Sequence, residues 1–179
     1  MMYVIQQPLA RRLRHRGFEV KVDGRFGTGI TKPWILDWAD HARAQIEEFH
    51  PDVTLMFIGA SDAWPLAGAK CCGARWRALY GQRVRELIAI YGRMIWLTLP
   101  APRDRGLARV FRGVNRAIVD ATRGRAEVLD LVPVFTPGFR FRRSMPWAGG
   151  RTIVRQLDGV HLWGEGTKIA ADLSVAAVE

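Results

Sequence analysis

Short apolar runs and longer amphipathic stretches take turns along this chain from one end to the other. Val53–Ile58 and Met94–Leu99 are continuous apolar runs, as expected of strands buried on both faces, and Phe18–Val22 and Glu127–Leu131 read as two further strands. Between them lie stretches of helical period. Met2, Ile5, Leu9 and Leu13 share one face of a helix over 2–16 that Gly17 ends, and Pro8 predicts an irregular first turn. Trp34–Phe49 is amphipathic, and Trp76, Tyr80, Val84, Leu87 and Tyr91 mark a third helix, stopped by Gly92. Leu107, Phe111, Val114, Ile118 and Ala121 mark a fourth, closed by Gly124. Pro133–Leu157 reads as a long irregular segment before a final helix from about Gly166. This alternation predicts one α/β domain over 1–179, with a parallel sheet covered by helices on both faces. Ligands of such sheets bind at the carboxyl ends of the strands, here the loops Gly24–Pro33, Gly59–Trp64 and Leu157–Trp163.

Composition removes several alternatives. The chain is 49% hydrophobic and 25% charged, the balance of an ordinary globular domain. Its longest apolar runs are far too short to span a bilayer. Pro8 and the basic stretch Arg11–Arg16 stand where the apolar core of a signal peptide would lie. The net charge of +10 raises the question of nucleic acid or anionic envelope polymers as partners. Most of that charge is scattered arginine, with Lys21, Lys32, Lys70 and Lys168 the only lysines, so charge alone gives either partner little support. Cys71 and Cys72 are adjacent, a spacing that rarely suits a mutual disulfide. They also lack partners at metal-ligand spacing, and read as two small loop residues.

The segment richest in chemistry is Asp158-Gly159-Val160-His161. An imidazole can take a proton from a hydroxyl nucleophile while a nearby carboxylate orients the ring and steadies its protonated form. A separation of three residues on a turn lets both side chains come from one short segment. The plain alternative is an Asp-Gly turn followed by an incidental histidine. Two further blocks stand in strand-end loops: Gly59-Ala60-Ser61-Asp62, and Gly27-Thr28-Gly29-Ile30-Thr31.

Taken together and in this order, the three blocks resemble those of the SGNH (GDSL-type) hydrolase superfamily. The resemblance implies a three-layer α/β/α, flavodoxin-like fold with strand order 2-1-3-4-5. It implies an ester hydrolase working through an acyl-serine intermediate, with His161 as general base and Asp158 orienting it. Gly29 and Ser61 would form the oxyanion hole, Ser61 standing where the family has an asparagine. No metal or organic cofactor is implied. The sequence most resembles bacterial, envelope-associated members, which implies acylated cell-surface glycans or small esters as substrates and a periplasmic or envelope location.

In that family the first strand ends in Gly-Asp-Ser, whose serine is the nucleophile, and a helix follows at once. Here residues 1–16 already match that helix, and Ser61, Ser144 and Ser174 have the wrong contexts for a nucleophile. The resemblance therefore implies that the chain begins just after its nucleophile, lacks the central first strand, and is inactive toward esters as it stands. Two other readings stay open: a non-catalytic glycan-binding relative, or an inactive fragment.

Overall fold

A computed structural model describes residues 1–179. The chain builds α1 (Met2–His15), α2 (Trp38–Phe49), β1 (Thr54–Met56), α3 (Ala74–Tyr91), β2 (Met94–Leu97), α4 (Arg105–Thr122), β3 (Glu127–Leu129), α5 (Val132–Phe135), β4 (Ser144–Trp147), β5 (Gly150–Ile153) and α6 (Glu165–Val178). The fold is the three-layer α/β/α arrangement expected. β1, β2 and β3 form a parallel sheet in that order, with Leu55 opposite Ile95 and Trp96 opposite Val128. β2 runs through its centre and all four of its residues are buried, which is why its sequence is uniformly apolar.

Helices cover the sheet in two groups. α1 packs against α6, burying Ile5, Leu9, Ala10 and Leu13 along one stripe, and the ion pairs Arg12–Asp172 and Arg16–Glu179 close the seam. On the other side α3 packs against both α2 and α4. Their buried residues recur at helical spacing, Tyr80, Val84, Leu87 and Ile88 on α3 and Phe111, Val114 and Ile118 on α4. A single cluster of buried apolar side chains joins all three layers. Pro8 lies within α1, where it removes one backbone donor, and the helix continues through it.

Two local expectations are corrected. Phe18–Val22 is not a strand: β1 pairs with β2 alone, and without a neighbour to bond, the 18–22 backbone forms no ladder. The segment is tied instead by Phe18 N–H to Leu13 O (3.1 Å) and by Arg14 Nη2 to Val20 O (2.8 Å). The stretch 133–157 is not irregular throughout. It holds the short helix α5 and an antiparallel hairpin, β4–β5, whose two-residue turn Ala148-Gly149 has positive φ at both positions (47° and 80°). That geometry matches the right-handed twist of the paired strands. Cys71 and Cys72, read as two small loop residues, lie in the loop before α3 with their side chains adjacent.

The unpaired edge of β1 faces a cleft of about 440 Å³. One wall is Val53–Ala60, and the facing wall is Phe18–Asp23. Leu9, Ala10 and Leu13 of α1 close one side, and Trp38 and Phe49 of α2 contribute to its lining. At the carboxyl end of β1 the cleft is lined by Gly27, Thr28, Ser61, Asp158 and His161.

Candidate active site

Asp158 organises its own turn. Its Oδ1 accepts the backbone N–H groups of Val160 (2.8 Å) and His161 (3.1 Å), and its Oδ2 lies 2.6 Å from His161 Nδ1. Gly159 makes this possible with φ +74°, and any Cβ there would stand 2.6 Å from Arg103 Cβ. Partial burial pushes the Asp158 carboxyl up. The hydrogen bonds from the His161 ring and the two N–H groups outweigh that, and the carboxyl lies below its ordinary value. An ionised carboxylate at Nδ1 fixes the N–H there and leaves Nε2, which has no protein partner, as the basic nitrogen.

Arg155 holds the turn from beneath. It is fully buried, and it donates from Nη1 to Ala101 O (3.1 Å) and from Nη2 to Val160 O (2.7 Å). Its guanidinium also lies 5.3 Å from the Phe141 ring centroid. Burial lowers its pKa to about 10, and the Asp158 carboxylate draws it back up in part. Arg103 adds a bond from its N–H to Gly159 O (2.9 Å).

On the opposite side of the cleft mouth, two loops are fastened by one buried carboxylate. Asp62 is 0% exposed and accepts four hydrogen bonds. They come from Ile30 N–H (3.2 Å), Thr31 N–H (3.0 Å), the Thr31 hydroxyl (3.0 Å) and the Tyr80 hydroxyl (2.8 Å). Burial pushes the Asp62 carboxyl up, and these donors pull it only part of the way back. Gly29 sits directly against it: a Cβ at this position would stand 2.1 Å from Asp62 Oδ1. The absent side chain at 29 thus admits Asp62.

Of the expected site residues, the structure brings Asp158, His161 and Ser61 to one cleft. Ser61 is half-buried and its hydroxyl makes no hydrogen bond within the chain. Gly29 lies one position behind Gly27 and Thr28, which form the cleft surface, and its N–H has no partner in the fold. Ser144 and Ser174 lie elsewhere, in β4 and buried in α6. Three residues carry more of the site than their sequence contexts suggest. Asp62 and Arg155 are two of them. The third is Asp23, deeper in the cleft, bound by His41 Nε2 (2.5 Å), Gln45 Nε2 (2.8 Å) and Arg25. Nowhere do three or more His, Cys, Asp or Glu side chains gather as a metal would require.

Residues 1–177 match the family described as protein of unknown function DUF459. The chain belongs to that family. This DUF459 protein also shares its fold with solved hydrolases. An acetyl xylan esterase, AlAXEase, superposes with a TM-score of 0.66 at 18% identity, covering 98% of this chain and 90% of that one. LAE5, an alpha/beta hydrolase enzyme from the metagenome of Lake Arreo, Spain, gives 0.66 at 17% identity, covering 98% and 79%. No curated protein sequence matches the chain. The resemblance to the SGNH hydrolases read from the three blocks agrees with this family and this fold.

Proposed function

We propose that this DUF459 protein is the scaffold of an SGNH-type serine ester hydrolase acting on acylated glycans of the cell envelope. The observation that carries the reading is the Asp158–His161 pair, 2.6 Å apart, with His161 Nε2 free beside an open cleft. In the reaction a serine Oγ attacks the ester carbonyl carbon as His161 Nε2 takes its proton. The Gly29 N–H and the Ser61 hydroxyl donate to the resulting oxyanion. The C–O bond then breaks, the alcohol leaves with the proton from His161, and water releases the acyl group by the same steps in reverse order. The acetyl xylan esterase of the same fold acts on an acylated polysaccharide by its name, which favours a glycan ester here.

Ser61 is the only serine lining this cleft, and in this reading its hydroxyl is an oxyanion donor. We assign the nucleophile instead to a strand seated along the free edge of β1. A parallel strand of about five residues spans roughly 17 Å, would satisfy that edge, and would end at the cleft mouth.

The test is active-site labelling. A chain extended ahead of Met1 by an apolar strand ending in Gly-Asp-Ser is expected to react with a serine-directed fluorophosphonate at the added serine. The 179 residues alone are expected to stay unlabelled. Labelling of the unextended chain that Ser61→Ala abolishes would move the nucleophile to Ser61. No labelling of either chain, together with saturable binding of an acetylated oligosaccharide, would favour the alternative of a glycan-binding relative.

A further inference from the structure

Trp34 and Trp64 are 63% and 51% exposed, an unusual state for two large aromatics that touch each other. Their rings meet edge to face, with centroids 5.3 Å apart and planes at 83°. The pair forms an open corner, one indole as floor and the other as wall. Neither indole N–H has a partner within the chain.

The backbone that carries the corner is restrained on both sides. Trp34 follows Pro33 in a turn closed by Ile35 N–H to Lys32 O (3.0 Å), and proline fixes the backbone at such a position. Trp64 precedes Pro65, which restricts it to extended backbone, and its carbonyl accepts the indole N–H of the buried Trp76 at 2.8 Å. Trp76 stacks on Tyr80, with ring centroids 4.9 Å apart. Tyr80 in turn donates to Asp62, the carboxylate that fastens the two loops carrying the tryptophans. The corner thus stands on the same framework as the cleft mouth. Trp64 stands three positions beyond Ser61, so their Cα atoms are at most ~11 Å apart.

We propose that Trp34 and Trp64 form a saccharide-binding platform for the carbohydrate part of the ester substrate. A sugar ring has apolar C–H faces that stack on indole and hydroxyl oxygens that can accept the free indole N–H groups. A cationic ligand fits less well: the two loops carry Lys32 and Lys70, and their acids are the buried Asp62 and the helix cap Asp37. The restrained backbone favours binding, because little loop freedom remains to be lost when a ligand seats on the corner. The inference rests on the ester-hydrolase reading only for the acyl group placed beside the sugar. Binding of the sugar itself needs no nucleophile.

The test uses the 179-residue chain with unacylated, neutral β-1,4-linked hexasaccharides of xylose, glucose and N-acetylglucosamine as probes. Titration followed by the indole N–H resonances of the seven tryptophans should shift those of Trp34 and Trp64 saturably and leave those of Trp76 and Trp96 in place. Trp34→Ala and Trp64→Ala should each weaken binding at least about fivefold, and Trp34→Tyr should retain most of it. No saturable shift with any of the three saccharides would overturn the proposal, as would binding unchanged in both alanine variants. Either result leaves the ester-hydrolase reading standing, because labelling at an added serine is measured independently.

Discussion

Asp158 bonds the His161 ring with one carboxylate oxygen and the turn's backbone with the other, so it sets both the ring's tautomer and the turn's shape. Asp158→Asn keeps the size of the side chain but presents an amide where a carboxylate held Nδ1–H. Turnover in the active, extended chain is expected to fall by roughly 10²–10⁴ with little change in melting temperature, measured by steady-state kinetics beside a thermal melt. Because the folded Asp158 pKa lies below its ordinary 3.8, its stabilising contribution is present above that pH and lost only as pH falls through the folded value. Asp62 has the opposite sign. Its folded pKa is raised, so its contribution to stability is greatest below pH 3.8 and declines as pH rises through the folded value. Asp62→Asn should remove that dependence and cost about 1–3 kcal/mol near neutrality, because both of its oxygens face donors. Denaturant titrations of both proteins across pH check the two expectations. Asp158 and His161 were legible in the sequence because they are three residues apart on one turn. The role of Asp62 was not, because its backbone partners lie 31 and 32 residues away and form its site only when the sheet brings two loops together.

At the scale of elements, the buried strands and the amphipathic helices were readable because burial on one or both faces leaves a periodic trace. Phe18–Val22 carries a strand-like pattern, yet strand formation depends on a neighbour as well as on the residues themselves, and here the neighbouring position is the open cleft. The β4–β5 hairpin leaves no such trace, because its strands are short and mostly exposed and so lack an apolar alternation. α6 shows how tightly one element sets the site. It begins just beyond His161, and Gly166 in its first turn lies against the 154 backbone, where a Cβ would stand 2.3 Å from Val154 O. Backbone cannot yield as a flexible side chain does. Gly166→Ala is expected to destabilise the protein by about 1–3 kcal/mol, read as a lower urea midpoint, and to displace the Asp158–His161 turn that α6 follows.

Over the whole molecule, one core ties three strands and two helix groups into a body whose chemically equipped loops all emerge at the carboxyl end of the sheet. The Asp158–His161 turn and the Asp62-fastened loops reach that end from distant parts of the chain, and the cleft between them continues along the free edge of β1. The net charge of +10 is represented at the cleft, where Lys21 and Arg25 join Asp158, His161, Ser61, Gly27 and Thr28 in the lining and Lys32 donates to Gly27 O (2.9 Å). In the proposed function His161 is the base of an ester hydrolysis whose serine enters on a strand beside β1. The most direct measurement is the steady-state hydrolysis of an aryl acetate by the chain extended with a strand ending in Gly-Asp-Ser, alone and with His161→Ala. Saturable turnover is expected in the first and a loss of at least about 10³-fold in the second, both chains being equally folded by circular dichroism. Turnover that persists undiminished in the His161→Ala chain, or that never appears in the folded extended chain, would contradict the proposed function.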